Sequence, residues 1–223
     1  MFGDSIGQGI ILSEETGKYT RSRRGCIQLL RESGLRIETR AVMGCTVEKG
    51  LELFRGTDTE PGGICVIEFG GNDCDLDWQA VSDRPEEFYD GRVPLEDFRR
   101  ALRIFVREAA ERGLRPVLVT PPPILSGRYF DWISRGKNPE HILRYLGDVE
   151  HISRWQERYA NAVRDAAHAE ECELLDLRRE WLNERNYPAL MSLDGIHPNE
   201  EGYRVMTQYI LRILPAGQVK KTS

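Results

Sequence analysis

The chain has 223 residues, 40% of them hydrophobic and 30% charged, and 31 Lys and Arg against 36 Asp and Glu leave a net charge of −5. That composition excludes a membrane-embedded chain and does not suggest disorder, and the acidic balance without a basic block argues against nucleic acid or anionic membrane as a partner. At roughly 100–200 residues per domain, one domain is expected over residues 1–214, with 215–223 a frayed polar tail.

In chain order, a helix is expected over residues 20–33, closed by Gly34. Residues 36–42 alternate strictly, with Ile37, Thr39 and Ala41 on one face and Glu38 and Arg40 on the other, the pattern of an edge strand. Residues 65–69, 116–120 and 173–177 are mostly apolar runs, as in strands covered on both faces. Leu95, Phe98, Leu102, Phe105, Val106 and Ala109 recur at helical spacing, with Gly113 as the stop. Val149, Ile152, Gln156, Tyr159, Val163 and Ala166 mark a second such helix. Tyr203, Met206, Ile210 and Ile213 mark the last, with Asn199 as N-cap. This βαβ alternation predicts a parallel sheet with helices on both faces. Pro121, Pro122 and Pro123 break it, and residues 124–147 follow with Tyr129, Phe130, Trp132 and Tyr145 at no clean period. That segment is either an insertion with its own small core or a wall or lid of a pocket. It leaves the C-terminal end of a strand, where open α/β sheets bind ligands.

Chemistry-bearing residues gather at strand ends. Gly3-Asp4-Ser5-Ile6-Gly7 matches G-x-S-x-G literally, but the nucleophile elbow of α/β-hydrolases follows several strands, and only two residues precede this one. Asp194-Gly195-Ile196-His197 sets a carboxylate and an imidazole in a loop before the last helix. His141, His151 and His168 fall in charged, helix-like contexts and are expected on the surface. Gly70-Gly71-Asn72-Asp73 follows a buried strand; it is an ordinary turn, or a place where Asn72 offers an amide to an oxyanion. Gly44 follows the edge strand. Asp73, Asp75 and Asp77 imitate a calcium loop, but Trp78 and Arg84 stand where it needs Gly and Glu, so the run is expected to be a solvated loop.

Together these blocks resemble the SGNH (GDSL-type) hydrolase family: G-D-S near the start, a glycine after the second strand, G-x-N-D after the third and D-x-x-H near the end. Any one block is common, whereas four in order over nearly the whole chain are specific. The resemblance implies a three-layer α/β/α, flavodoxin-like sheet of strand order 2-1-3-4-5. It implies Ser5 as nucleophile, His197 as base and Asp194 as the residue orienting His197. It also implies an oxyanion hole of the Ser5 and Gly44 amides and the Asn72 side chain. A serine needs a base to attack a carbonyl, and the imidazole needs an acceptor to hold its tautomer, so chemistry and resemblance agree. Two departures stand out. Only Met1 and Phe2 precede G-D-S, so the first strand is a stub or continues upstream, and Gly7-Gln8-Gly9 after the serine differs from the family's usual residues.

The activity implied is ester hydrolysis through an acyl-enzyme, by a carbohydrate deacetylase, a lysophospholipase or thioesterase, or a short-chain esterase. No metal or cofactor is implied. Tyr129, Phe130 and Trp132 are candidates for the substrate pocket. The alternative is a non-catalytic flavodoxin-like binding module, which loss of Ser5 or His197 would have favoured. Five cysteines, Cys26, Cys45, Cys65, Cys74 and Cys172, form no C-x-x-C pair, which suits reduced, mostly buried thiols in a cytoplasmic protein. No signal peptide or stretch of 18 apolar residues is visible.

Overall fold

Two residues at the start of the chain do the work of a central strand. Phe2 donates its N–H to Val66 O (2.8 Å) and accepts from Glu68 N (3.0 Å), a parallel bridge opposite Ile67. On the other side Arg40 N and Val42 N donate to Met1 O (2.9 Å) and Gly3 O (3.1 Å). The computed structural model describes residues 1–213, so the tail expected at 215–223 lies outside the described residues.

After this stub come α1 (Ser5–Gln8), β1 (Ile10–Leu12), β2 (Tyr19–Arg21), α2 (Cys26–Glu32) and α3 (Val47–Arg55). Then follow β3 (Ile64–Glu68), α4 (Trp78–Asp83), α5 (Leu95–Glu111), β4 (Arg115–Val119), α6 (Ser126–Ile133) and α7 (Pro139–Leu146). The chain continues with α8 (His151–Ala169), β5 (Glu173–Leu175), α9 (Leu177–Leu182), a 3-10 turn (Tyr187–Leu190) and α10 (Glu200–Ile213). The regular sheet is parallel, in order β3-β4-β5, with Ile67 opposite Leu118 and Leu118 opposite Leu174. Adding the stub and the segment beside it gives the sequence order second, first, third, fourth, fifth. Residues 36–42 form no regular strand, yet their burial alternates as expected: Ile37, Thr39 and Ala41 are half-buried, while Arg36, Glu38, Arg40 and Val42 are exposed.

Helices cover both faces. Cys65, Ile67 and Phe69 of one face pack with α3, α5 and α8 through Leu51, Phe54, Phe98, Phe105, Tyr159 and Val163. Val66, Val117, Val119 and Leu175 of the other pack with α2, α9 and α10 through Ile27, Leu30, Trp181, Tyr203 and Met206. Alternation along each strand thus serves two cores, as in a three-layer α/β/α domain. A third cluster, outside both, joins α4, α6, α7 and the start of α8 through Val81, Tyr129, Ile133, Ile142, Leu146 and Ile152. All five cysteines are free, four of them buried and Cys172 half-buried.

Three expectations need correction. The helix at 20–33 starts only at Cys26, because Tyr19, Thr20 and Arg21 pair antiparallel with Ile10–Leu12. That hairpin is pinned from outside its own sequence: Tyr203 Oη donates to Ile10 O (2.8 Å) and Ser22 Oγ donates to Glu200 Oε1 (3.0 Å). The strand at 173–177 ends at Leu175, where Asp176 accepts from Arg179 N and caps α9, a helix too short to show a period. The Asp73, Asp75 and Asp77 run is not a solvated loop: Asp73 is fully buried, Asp75 is half-buried, and only Asp77 is exposed, capping α4.

Candidate active site

Three strand ends and one loop converge. The stub strand delivers Ser5 as the first residue of α1, with Asp4 Oδ1 accepting from Ile6 N at 2.9 Å. A Cβ on Gly3 would lie 2.8 Å from Glu68 Oε2 and 3.1 Å from Glu68 O, so a larger residue there would push Glu68 aside. The loop before α10 folds back on itself through Ser192 N donating to His197 O (2.8 Å). Gly195 has φ 75°, and a Cβ on it would approach Leu125 O to 2.7 Å. Its carbonyl accepts from Leu125 N (2.9 Å), so the start of α6 anchors this loop.

The result is a continuous hydrogen-bonded chain. His197 Nε2 is 2.8 Å from Ser5 Oγ, and His197 Nδ1 is 2.7 Å from Asp194 Oδ2. Asp194 Oδ1 accepts from the amides of Ile196 and His197, each at 3.1 Å. Asp194 is fully buried, and Ser5 and His197 nearly so. Burial alone would raise the Asp194 carboxyl; the His197 hydrogen bond and charge and the two amides outweigh it and hold the group below its usual range. With Asp194 ionised, the proton between the pair sits on Nδ1, leaving Nε2 to accept from the serine hydroxyl.

Beside Ser5, Gly44 and Asn72 line the same cleft. Asn72 Nδ2 donates one hydrogen to Asp4 Oδ2 (2.9 Å), and its second remains for another acceptor. Asp73 lies behind this turn, accepting from Val47 N (2.7 Å) and Gly70 N (2.9 Å); burial pushes its carboxyl up to about 7 against those two bonds.

The cleft above has a volume of about 410 Å³, within the ~300–1,000 Å³ usual for small-molecule sites. Tyr129 and Trp132 line it as expected. Phe130 does not; it packs into the third cluster, because adjacent helical residues point to different sides. α6 and α7 share that small core, and Tyr129, Trp132, Ile133, Tyr145 and Leu146 also line the cleft. Asp75 and Trp78 belong to the same cleft, with Tyr129 Oη donating to Asp75 Oδ1 (2.6 Å) and Trp78 Nε1 donating to the same oxygen (2.8 Å). His151, expected on the surface, lines the cleft from the start of α8 and stacks beside Trp155. Sequence reasoning gave no sign of Tyr19. Its ring meets His197 edge-on at 5.0 Å and Trp132 at 5.6 Å, and burial first, then the charge of Asp194, pushes its hydroxyl's pKa well above the usual tyrosine value, so that it stays un-ionised.

The sequence profile of the GDSL-like Lipase/Acylhydrolase family matches residues 1–205. The fold is that of solved hydrolases. A lipase/acylhydrolase from Enterococcus faecalis superposes with TM-score 0.62 at 23% identity, over 95% of this chain and 91% of that one. An alpha/beta hydrolase enzyme from the metagenome of Lake Arreo, Spain, gives 0.62 at 22%, over 94% and 91%. The psychrotrophic esterase EstA from Pseudoalteromonas, in a structure inhibited by monoethylphosphonate, gives 0.59 at 12%, over 95% and 92%. No curated protein matches the sequence. The fold is thus the three-layer α/β/α fold of SGNH hydrolase structures. The chain belongs to the GDSL-like lipase/acylhydrolase family, and it is an ester hydrolase. Among the described residues no helix is long and apolar enough to cross a membrane.

Proposed function

We propose that Ser5, His197 and Asp194 carry out this hydrolysis as a nucleophile, a general base and an orienting carboxylate. The observation that carries the reading is the unbroken contact from Asp194 through His197 to Ser5, at 2.7 and 2.8 Å, opening on an aromatic cleft. His197 Nε2 takes the Ser5 proton as Oγ bonds to the ester carbonyl carbon. The carbonyl π pair moves to oxygen, and the tetrahedral oxyanion is met by the amides of Ser5 and Gly44 and by Asn72 Nδ2. Collapse breaks the ester C–O bond, and His197 returns the proton to the departing alcohol. Water then attacks the acyl-enzyme with His197 again as base, releasing the acid and restoring Ser5.

The substrate is a small-molecule, carbohydrate or lipid ester whose acyl or alcohol portion reaches the aromatic wall. Tyr129, Trp132, Ile133 and Leu146 offer an apolar surface there, with Trp78 and Trp155 beside them. The 124–147 segment is the element that selects this group, since it supplies much of that wall. The test is hydrolysis of p-nitrophenyl esters together with labelling by a fluorophosphonate. Wild type is expected to do both and Ser5→Ala neither, at unchanged circular dichroism. A Ser5→Ala protein that still hydrolyses the ester would remove Ser5 from the reaction.

A further inference from the structure

Two carboxyl groups meet beneath Ser5, and the mechanism above uses neither. Asp4 and Glu68 are each 2% exposed. Glu68 is the last residue of β3, a strand otherwise built of apolar side chains. Its Oε2 accepts from Asp4 N at 3.4 Å, which sets the Glu68 carboxyl against Asp4. Its Oε1 is buried with no hydrogen-bond partner.

Two ionised carboxylates buried side by side repel each other, which favours a proton on one of the pair. Hydrogen bonds decide which. Asp4 accepts from Ile6 N and Asn72 Nδ2, both at 2.9 Å, and such bonds favour a carboxylate. Glu68 accepts more weakly, through the long bond from Asp4 N, and its Oε1 has no partner. A proton on Glu68 gives it something to donate and gives Asp4 another bond to accept. Asp4 is then a hub: Oδ1 holds the turn that carries Ser5, and Oδ2 holds the amide of Asn72.

We propose that Glu68 is a positioning residue for the reaction: as a neutral acid it donates to Asp4, and Asp4 fixes both the Ser5 turn and the Asn72 amide that faces the oxyanion. This rests on the serine mechanism above and adds to it a group that never touches substrate. A loosened Asp4 lets Asn72 swing, and a misplacement of about 1 Å in such a donor can cost roughly 10²-fold.

The test compares Glu68→Gln and Glu68→Leu with wild type in p-nitrophenyl ester hydrolysis, each rate divided by the sites titrated with a fluorophosphonate. Gln keeps a neutral donor toward Asp4, and Leu removes it. The expected result is kcat per labelled site within about threefold of wild type for Gln and about 10- to 100-fold lower for Leu, at nearly unchanged KM. A merely structural role would lower the number of labelled sites and leave the rate per site alone, which would overturn the inference. So would a Gln variant as slow as Leu, because a neutral donor would then not suffice. Should Glu68→Leu fail to fold, the Gln variant decides alone: near-wild-type turnover supports the inference, and a loss as large as that of Asn72→Ala overturns it. A wild-type protein that neither labels nor hydrolyses would sink the serine mechanism itself, a failure distinct from any in the variants.

Discussion

Ser5, Asn72 and His197 are held by hydrogen bonds to buried polar groups, whereas Trp132 and Ile133 across the cleft are held mainly by apolar packing. The floor is a network in which each member fixes the next: Asp194 holds His197, His197 holds Ser5, and Asp4 holds Asn72. The wall is a set of side chains from α4, α6, α7 and α8 that bury one another and leave one face to the cleft. A polar network loses function abruptly when one member goes, since its partners are left unpaired in a dry site. An apolar wall changes shape by degrees. Changes on the floor should therefore move kcat, and changes in the wall should move preference among substrates.

The sharpest way to break this comparison is to remove the floor's reacting groups. Ser5→Ala and His197→Ala should each lower kcat by roughly 10⁴-fold or more, and the double variant should be little slower than either. Losses that simply add in kinetic assays would mean that the two side chains act independently. Next in size is Asn72→Ala. Loss of one oxyanion donor typically costs about 10²–10³-fold in kcat, and KM should stay near that of wild type. An effect confined to KM would move Asn72 from the transition state to substrate binding, and so from floor to wall.

A smaller effect is expected from the wall. Trp132→Ala should shift the ratios of kcat/KM across a series of acyl chain lengths by about tenfold, the worth of a methylene or so in an apolar pocket. Stability should fall less, because Trp132 is only half-buried and packs against the edge of the third cluster rather than inside it. Unchanged ratios with a large drop in Tm would make the α6 aromatics packing alone.

The two regions also differed in how plainly the sequence announced them. The floor was legible because its geometry leaves local traces: glycines at strand ends, Asp4 and Asn72 beside two of them, and a D-x-x-H loop. Ser5, Gly44, Asn72, Asp194 and His197 all lie in such blocks, and the cleft brings Ser5, Gly44, Asn72 and His197 together. The wall left weaker traces. Aromatics at 129, 130 and 132 were visible, but which of them faces the cleft depends on the phase of α6, and Phe130 went the other way. Tyr19 left none, because the hairpin carrying it is fixed by Tyr203 and Glu200, far along the chain. Glu68 is the one carboxylate in the apolar run 65–69, and nothing local in the sequence tells that Asp4 lies against it.

The last and smallest effect concerns the acids under the floor, and it separates charge from packing there. Burial first, then the charge of Asp4, raises the Glu68 carboxyl well above its usual value; Asp4 and Asp73 are raised as well, Asp73 to about 7. A raised acid keeps its proton in the folded state where the unfolded chain has lost it. Its contribution to stability is therefore full below the unfolded value, roughly 4.3 for Glu, and is lost as pH rises toward the folded one. Gln titrates in neither state. The Tm of Glu68→Gln minus that of wild type should thus grow as pH goes from about 5 to 8, whatever offset the substitution has at the start. Each pH unit in the window is worth at most about 1.4 kcal/mol, or roughly 3–5 °C for a domain of this size. Sharing of the proton with Asp4 and Asp73 lowers the slope but not its sign. Surface pairs such as Arg55–Glu108 cancel in the difference, because both proteins keep them. A difference that stays flat or shrinks with pH would show that Glu68 is ionised in the folded protein, and the floor would then hold a buried negative charge against Asp4.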